Sequence, residues 1–163
     1  VVLLLFVPAN FPALRHHYHW EKENWRGIGE FISENIQPDE AIVVSPYYWS
    51  QTLLYYQPSL LSHLEVGSEL RQFQLAAQQY PGVWFLRHSR SIGDPTGTLT
   101  AWATDQGFEK LVNSRTCGWG IHVYYGRFDD QAATREADLL KEAAVLCPND
   151  PRFRKGADQP TGD

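Results

Sequence analysis

Tyr47, Tyr48, Trp49, Tyr55 and Tyr56 stand just past a short apolar run, in the stretch AIVVSPYYWSQTLLYY. Their rings can stack on the faces of sugars, and their O–H and N–H groups can hydrogen-bond. The end of a strand is where open α/β sheets bind ligands. The competing reading is ordinary structure, with half of the rings under a sheet and half on a loop. His88 joins the candidates because it lies at the end of a second strand-like run, VWFLRHS.

The other reactive groups form no self-sufficient catalytic set. His16, His17 and His19 lack Cys or carboxylate partners at zinc-ligand spacing, so no metal site is expected. The loop GDPTGT, 93–98, precedes a helix and could offer free N–H groups to an anion. It has neither the lysine of a P-loop nor the glycine pattern of a dinucleotide fingerprint. It reads as a loop with a threonine cap, and no cofactor is expected. Ser45 is followed by Pro46, which has no N–H to serve as an oxyanion donor. His63 and His122 read as structural histidines, and Asp39, Glu40 and Asp94 as loop carboxylates without paired spacing.

The elements that must position these groups follow from periodicity. Over Glu21–Gln37, Trp25, Ile28, Ile32 and Ile36 recur at helical spacing. Gly27 and Gly29 each weaken that helix by about 1 kcal/mol relative to alanine, and Pro38 ends it. The β-branched run Ala41–Val44 predicts a strand buried on both faces. A helix is predicted from Trp49 to Tyr56, a strand over Leu61–Val66, and a helix over Ser68–Tyr80. The last has Ser68 as N-cap and Leu70, Phe73, Ala77 and Tyr80 on one stripe. Val83–Ser89 reads as a strand and Thr98–Asp105 as a short helix. EKLVNSRTCGWGIHVYYGRF reads as a hairpin. Asp130–Leu146 reads as a helix with Ala133, Ala137, Leu140 and Ala144 on one face.

This alternation predicts an α/β fold: a three-layer, Rossmann-like, mostly parallel sheet that ends in an antiparallel hairpin. The α/β domain is expected over 21–128. An arm (1–20) would precede it, and a helix with a Pro- and Gly-rich tail (129–163) would follow.

The chain has 163 residues and is 43% hydrophobic, enough for one cored domain. Its net charge of -5 argues against a nucleic-acid surface, which needs a basic stripe. It contains no methionine and begins with Val1, so it reads as an excerpt of a longer protein. VVLLLFV at the start is too short to span a bilayer, which takes roughly 20 residues. It is either a buried element or the last turns of a membrane helix. Cys117 and Cys147 are either two thiols or a disulfide, which would stabilise by about 3–4 kcal/mol in the loop-entropy model.

The order Lys22 to Arg26, the Pro38 turn, Ala41–Val44, Tyr47–Tyr56, Val83-Trp84 and Ile121–Tyr125 resembles the soluble C-terminal segment of bacterial family 39-like membrane glycosyltransferases. These are relatives of protein O-mannosyltransferases and aminoarabinose transferases. The resemblance runs from Val1 to about Phe128. It departs at Asp39, where the family usually has glycine. It implies that VVLLLFV ends a membrane span and that the domain lies on the extracytoplasmic side. That setting favours a Cys117–Cys147 disulfide. It also implies transfer of a sugar from a polyprenyl-phosphate donor to a glycan or protein acceptor. The catalytic carboxylate of such proteins lies in the membrane-embedded part of the same chain, so this segment is expected to be inactive alone. Two other functions fit the residues. One is a free-standing enzyme for a nucleotide or sugar phosphate bound at 93–98. The other is a carbohydrate-binding module built on Tyr47–Tyr56.

Overall fold

The computed structural model describes residues 24–65, 69–88, 94–113 and 120–147. Helix α1 (Trp25–Asn35) opens on Asn24, whose side chain accepts from the Gly27 N–H at 2.9 Å. Trp25, Ile28 and Ile32 are buried as the spacing predicts, Phe31 joins them, and Ile36 falls at the C-cap and is partly buried. Gly29 is needed for a close approach. A Cβ there would lie 2.8 Å from Cγ of Gln57, so the glycine lets α1 lie against the end of the next helix.

Strand β1 (Glu40–Ser45) is buried at all six positions. The chain leaves it through a cis Ser45–Pro46 peptide, makes a 3-10 turn at Tyr47–Trp49 and enters α2 (Ser50–Tyr56). Helix α3 (Leu70–Gln79) follows, then β2 (Gly82–His88), α4 (Thr98–Asp105), β3 (Glu109–Val112), β4 (Ile121–Arg127) and α5 (Ala132–Leu146).

The sheet order is β1-β2-β4-β3. The β1–β2 pair is parallel, while β2–β4 and β4–β3 are antiparallel. The sheet is therefore mixed, not mostly parallel. One reason lies at Leu61–Val66, where a strand is expected. Pro58–His63 is instead a 3-10 helix, and only Leu64 makes a parallel bridge to Ile42. Proline suits the first turn of a helix and disfavours a ladder position. The second reason is that β4 pairs directly with β2, which leaves β3 at the edge.

Alternate residues of the strands face opposite ways. Ile42, Val44, Trp84, Leu86, Val123 and Tyr125 join Ile28 and Ile32 of α1, Leu53 of α2 and Leu139 of α5 in one buried cluster. Val43, Val83, Phe85 and Tyr124 join Phe73 and Ala76 of α3 and Leu99 and Ala103 of α4 in the other. The expected stripe on α3 is recovered around Phe73, with Leu70 and Tyr80 partly buried. The N-cap position is Glu69 and not the expected Ser68, which lies outside the described residues. The expected face of α5 is recovered only in part, with Leu140 and Ala144 partly buried. Ala133 and Ala137 are exposed, and Leu139, Ala143 and Cys147 are buried instead. Leucine removes more apolar surface from water than alanine, so Leu139 sets the rotation of the helix. Cys147 is disulfide-bonded, and the chain's other cysteine, Cys117, lies outside the described residues. No helix among the described residues is long and apolar enough to cross a membrane.

Candidate functional site

The parallel pair β1–β2 ends at Ser45 and His88, and the aromatic segment sits at this end of the sheet. Trp49 lies in a stack, its ring parallel to that of His88 at 5.0 Å and near-parallel to that of Trp25 at 5.6 Å. The stack ties the start of α1, the turn after β1 and the end of β2 together. Trp25 and His88 are buried, and the Nε1–H of Trp49 is buried without a hydrogen-bond partner among the described residues. Tyr48 leans on Trp49 with ring centroids 5.6 Å apart and is 53% exposed.

One helix further on, Tyr55 and Tyr56 make an edge-to-face pair at 5.1 Å. The Arg26 guanidinium lies 5.4 Å from the centre of the Tyr56 ring. Tyr55 is 80% exposed and Tyr56 is 37% exposed. Tyr47 and Trp49 are half-buried. The expected cluster thus divides. Trp49 and His88 form a packed base, and Tyr48, Tyr55 and Tyr56 present their rings to solvent. Such a surface can stack on a saccharide or sit at an apolar–polar boundary. Ser45, at the same end, is buried.

The opposite end of the sheet holds a group that was not singled out from the sequence. Glu40, read there as a loop carboxylate, opens β1 and is 1% exposed. Its carboxylate accepts from the Tyr125 hydroxyl at 2.6 Å, the Trp84 indole N–H at 2.8 Å, the Gln37 backbone N–H at 3.0 Å and Arg127 Nη1 at 3.1 Å. Arg127 also binds Gln37 and Asp129, and Arg135 approaches Glu40 at 3.5 Å. Burial and the neighbouring Glu40 carboxylate raise the Tyr125 phenol well above its ordinary range, so it stays a hydrogen-bond donor. The hydrogen bond to Asp129 raises the Arg127 guanidinium, which stays charged. Tyr125, Trp84 and Arg127 all donate to Glu40, which makes this a fastener between strands and not an open site.

Asp94 accounts for the 93–98 loop. It is 3% exposed, and its carboxylate accepts from the Leu99 N–H at 3.1 Å, the Thr100 N–H at 3.0 Å and the Thr100 hydroxyl at 2.8 Å. Arg87 stands 3.9 Å away. The N-terminus of α4 is therefore capped by the chain's own carboxylate, and an external anion would have to displace it. Burial opposes ionisation of Asp94, but the Thr100 and Leu99 hydrogen bonds and Arg87 outweigh it and hold the pKa below the ordinary value.

Replacing Asp94 with alanine is expected to cost about 1–2 kcal/mol at pH 7. A depressed folded-state pKa contributes stability above the unfolded value, about 3.9, and that contribution is lost as pH falls through the folded value. The gap between wild type and Asp94→Ala should narrow below about pH 4 in urea titrations. A gap independent of pH would mean that the charge of Asp94 is not what caps α4.

Among the described residues, no three His, Cys, Asp or Glu side chains gather as metal ligands. His16, His17 and His19 lie outside the described residues. Glu40 and Asp94 share one signal that a sequence carries faintly: an acidic residue just before an apolar strand or helix start. No family model, no curated protein and no solved structure matches the chain.

Proposed function

We propose that the chain is a non-catalytic recognition domain of a membrane glycosyltransferase, one that takes its sugar from a polyprenyl-phosphate donor. Its role is to position the acceptor beside the membrane-embedded part of the same chain, on the extracytoplasmic side. The observation that carries the reading is the exposure of Tyr48, Tyr55 and Tyr56 beside the packed Trp25–Trp49–His88 base. Tyr48 is braced by Trp49 and Tyr55 by Tyr56, and braced rings lose little conformational freedom when they stack on a ligand. The sequence resemblance supports the setting. The helices on both faces of the sheet support a reduced three-layer, Rossmann-like layering, which we propose as the fold's parentage.

The test is transfer by the full membrane protein with a polyprenyl-phosphate sugar. Tyr48→Ala with Tyr55→Ala should raise KM for acceptor about tenfold, from two lost aromatic contacts of about 0.5–1.5 kcal/mol each. The thermal midpoint of the domain should not move. An unchanged KM would remove the acceptor role. A reading frame without a multi-span hydrophobic region upstream of Val1 would remove the glycosyltransferase reading itself.

A further inference from the structure

On the sheet face away from α1, a groove of about 470 Å³ runs between α3 and α4. Its lining is Gln74, Ala77, Gln78, Trp102, Gln106 and Phe128. Gln74 and Gln78 lie one helical turn apart on α3, and Gln106 is the C-cap of α4, so three side-chain amides line one space. No hydrogen bond among the described residues engages any of the three. The two aromatics are braced from behind. Trp102 packs edge-on to Phe73 at 4.8 Å, and Phe128 packs edge-on to Phe108 at 5.6 Å. Phe128 is nevertheless 44% exposed.

We propose that this groove binds a neutral saccharide. Its volume lies in the range of small-molecule sites, about 300–1,000 Å³. Each amide is both donor and acceptor, and so is each sugar hydroxyl, so the two sets can satisfy one another. The rings of Trp102 and Phe128 can take the C–H face of a pyranose. Among the described residues no charged side chain lines the groove, which gives a phosphate, a carboxylate or a cationic peptide no counter-ion there. An apolar occupant would leave three amides desolvated without partners, which is costly. The inference does not rest on the glycosyltransferase reading. It lies on a different surface from Tyr48 and Tyr55, and it is tested on the isolated chain.

The experiment is an NMR titration of the 163-residue chain with neutral gluco-, galacto- and manno-configured disaccharides, and with an acidic disaccharide as control. Shifts are expected at the side-chain amides of Gln74, Gln78 and Gln106 and at the Trp102 indole N–H. The variant Gln78→Ala/Gln106→Ala changes two exposed residues and should keep the wild-type thermal midpoint. It should weaken Kd about tenfold, from two lost hydrogen bonds. Three results would overturn the proposal. One is no shift with any neutral disaccharide at millimolar concentration. Another is binding that the double variant leaves intact, which would place the sugar elsewhere. The third is a response to the acidic control alone.

Discussion

Replacing Glu40 with alanine is expected to destabilise the domain by about 3–5 kcal/mol, the range for breaking a buried ion pair by removing one partner. In a chain of this length that is a fall in Tm of roughly 6–20 °C. The change strips an acceptor from Tyr125, Trp84, the Gln37 backbone and Arg127 at once. Tyr125 and Trp84 are then left as buried donors and the Gln37 N–H as a part-buried one, while Arg127 keeps Asp129 and Gln37. Tyr125→Phe removes a single hydrogen bond from the same carboxylate and should cost only about 1–2 kcal/mol. Gly82, opposite Glu40 in β2, belongs to the same arrangement. A Cβ there would stand 2.8 Å from Glu40 Cγ and 3.1 Å from the Tyr125 hydroxyl. Thermal melts of the two variants decide the matter. Equal losses for Glu40→Ala and Tyr125→Phe would mean that the network is not centred on Glu40.

That centre was hidden in the sequence for a physical reason. Glu40 finds Tyr125 and Arg127 at separations of 85 and 87 residues. The one local cue in IQPDEAIVV, an acidic residue just before an apolar strand, does not say that its side chain turns inward. What is local was legible. The β-branched run around Ile42, the VWFLRH strand and the hairpin partners of Tyr124 and Tyr125 stand where the alternation of residue types puts them. Pairing is not local. β4 inserts beside β2 because both strands are apolar on both faces, and the sequence order of strands does not encode that choice. The aromatic segment was half legible in the same sense. Its position after β1 follows from the strand, but partial burial of Trp49 and exposure of Tyr55 depend on which rings meet Trp25 and His88. The groove glutamines went unnoticed because polar residues on a helix read as solvated surface until a second helix faces them.

Phe73→Ala should cost about 3–5 kcal/mol, as large-to-small changes in a packed aromatic core do. Phe73 is fully buried and touches three rings: Phe85 at 4.5 Å, Trp102 at 4.8 Å and Phe108 at 5.2 Å. It is the element of α3 that joins the sheet to α4, so its loss leaves a cavity that neither helix can close without moving. Leu75 lies two residues on and is 51% exposed, so Leu75→Ala serves as control and should cost no more than about 0.5 kcal/mol. Urea midpoints that shift equally for the two variants would show that the aromatic cluster is not the keystone of this face. Phe73→Leu keeps most of the volume and should lose about 1–1.5 kcal/mol. The comparison also reaches the groove, because Phe73 braces Trp102 from behind. Under conditions where all variants are folded, saccharide affinity should stay near wild type in Phe73→Leu and fall in Phe73→Ala. Affinity that ignores both changes would detach the Trp102 ring from ligand binding, whatever the fate of the fold.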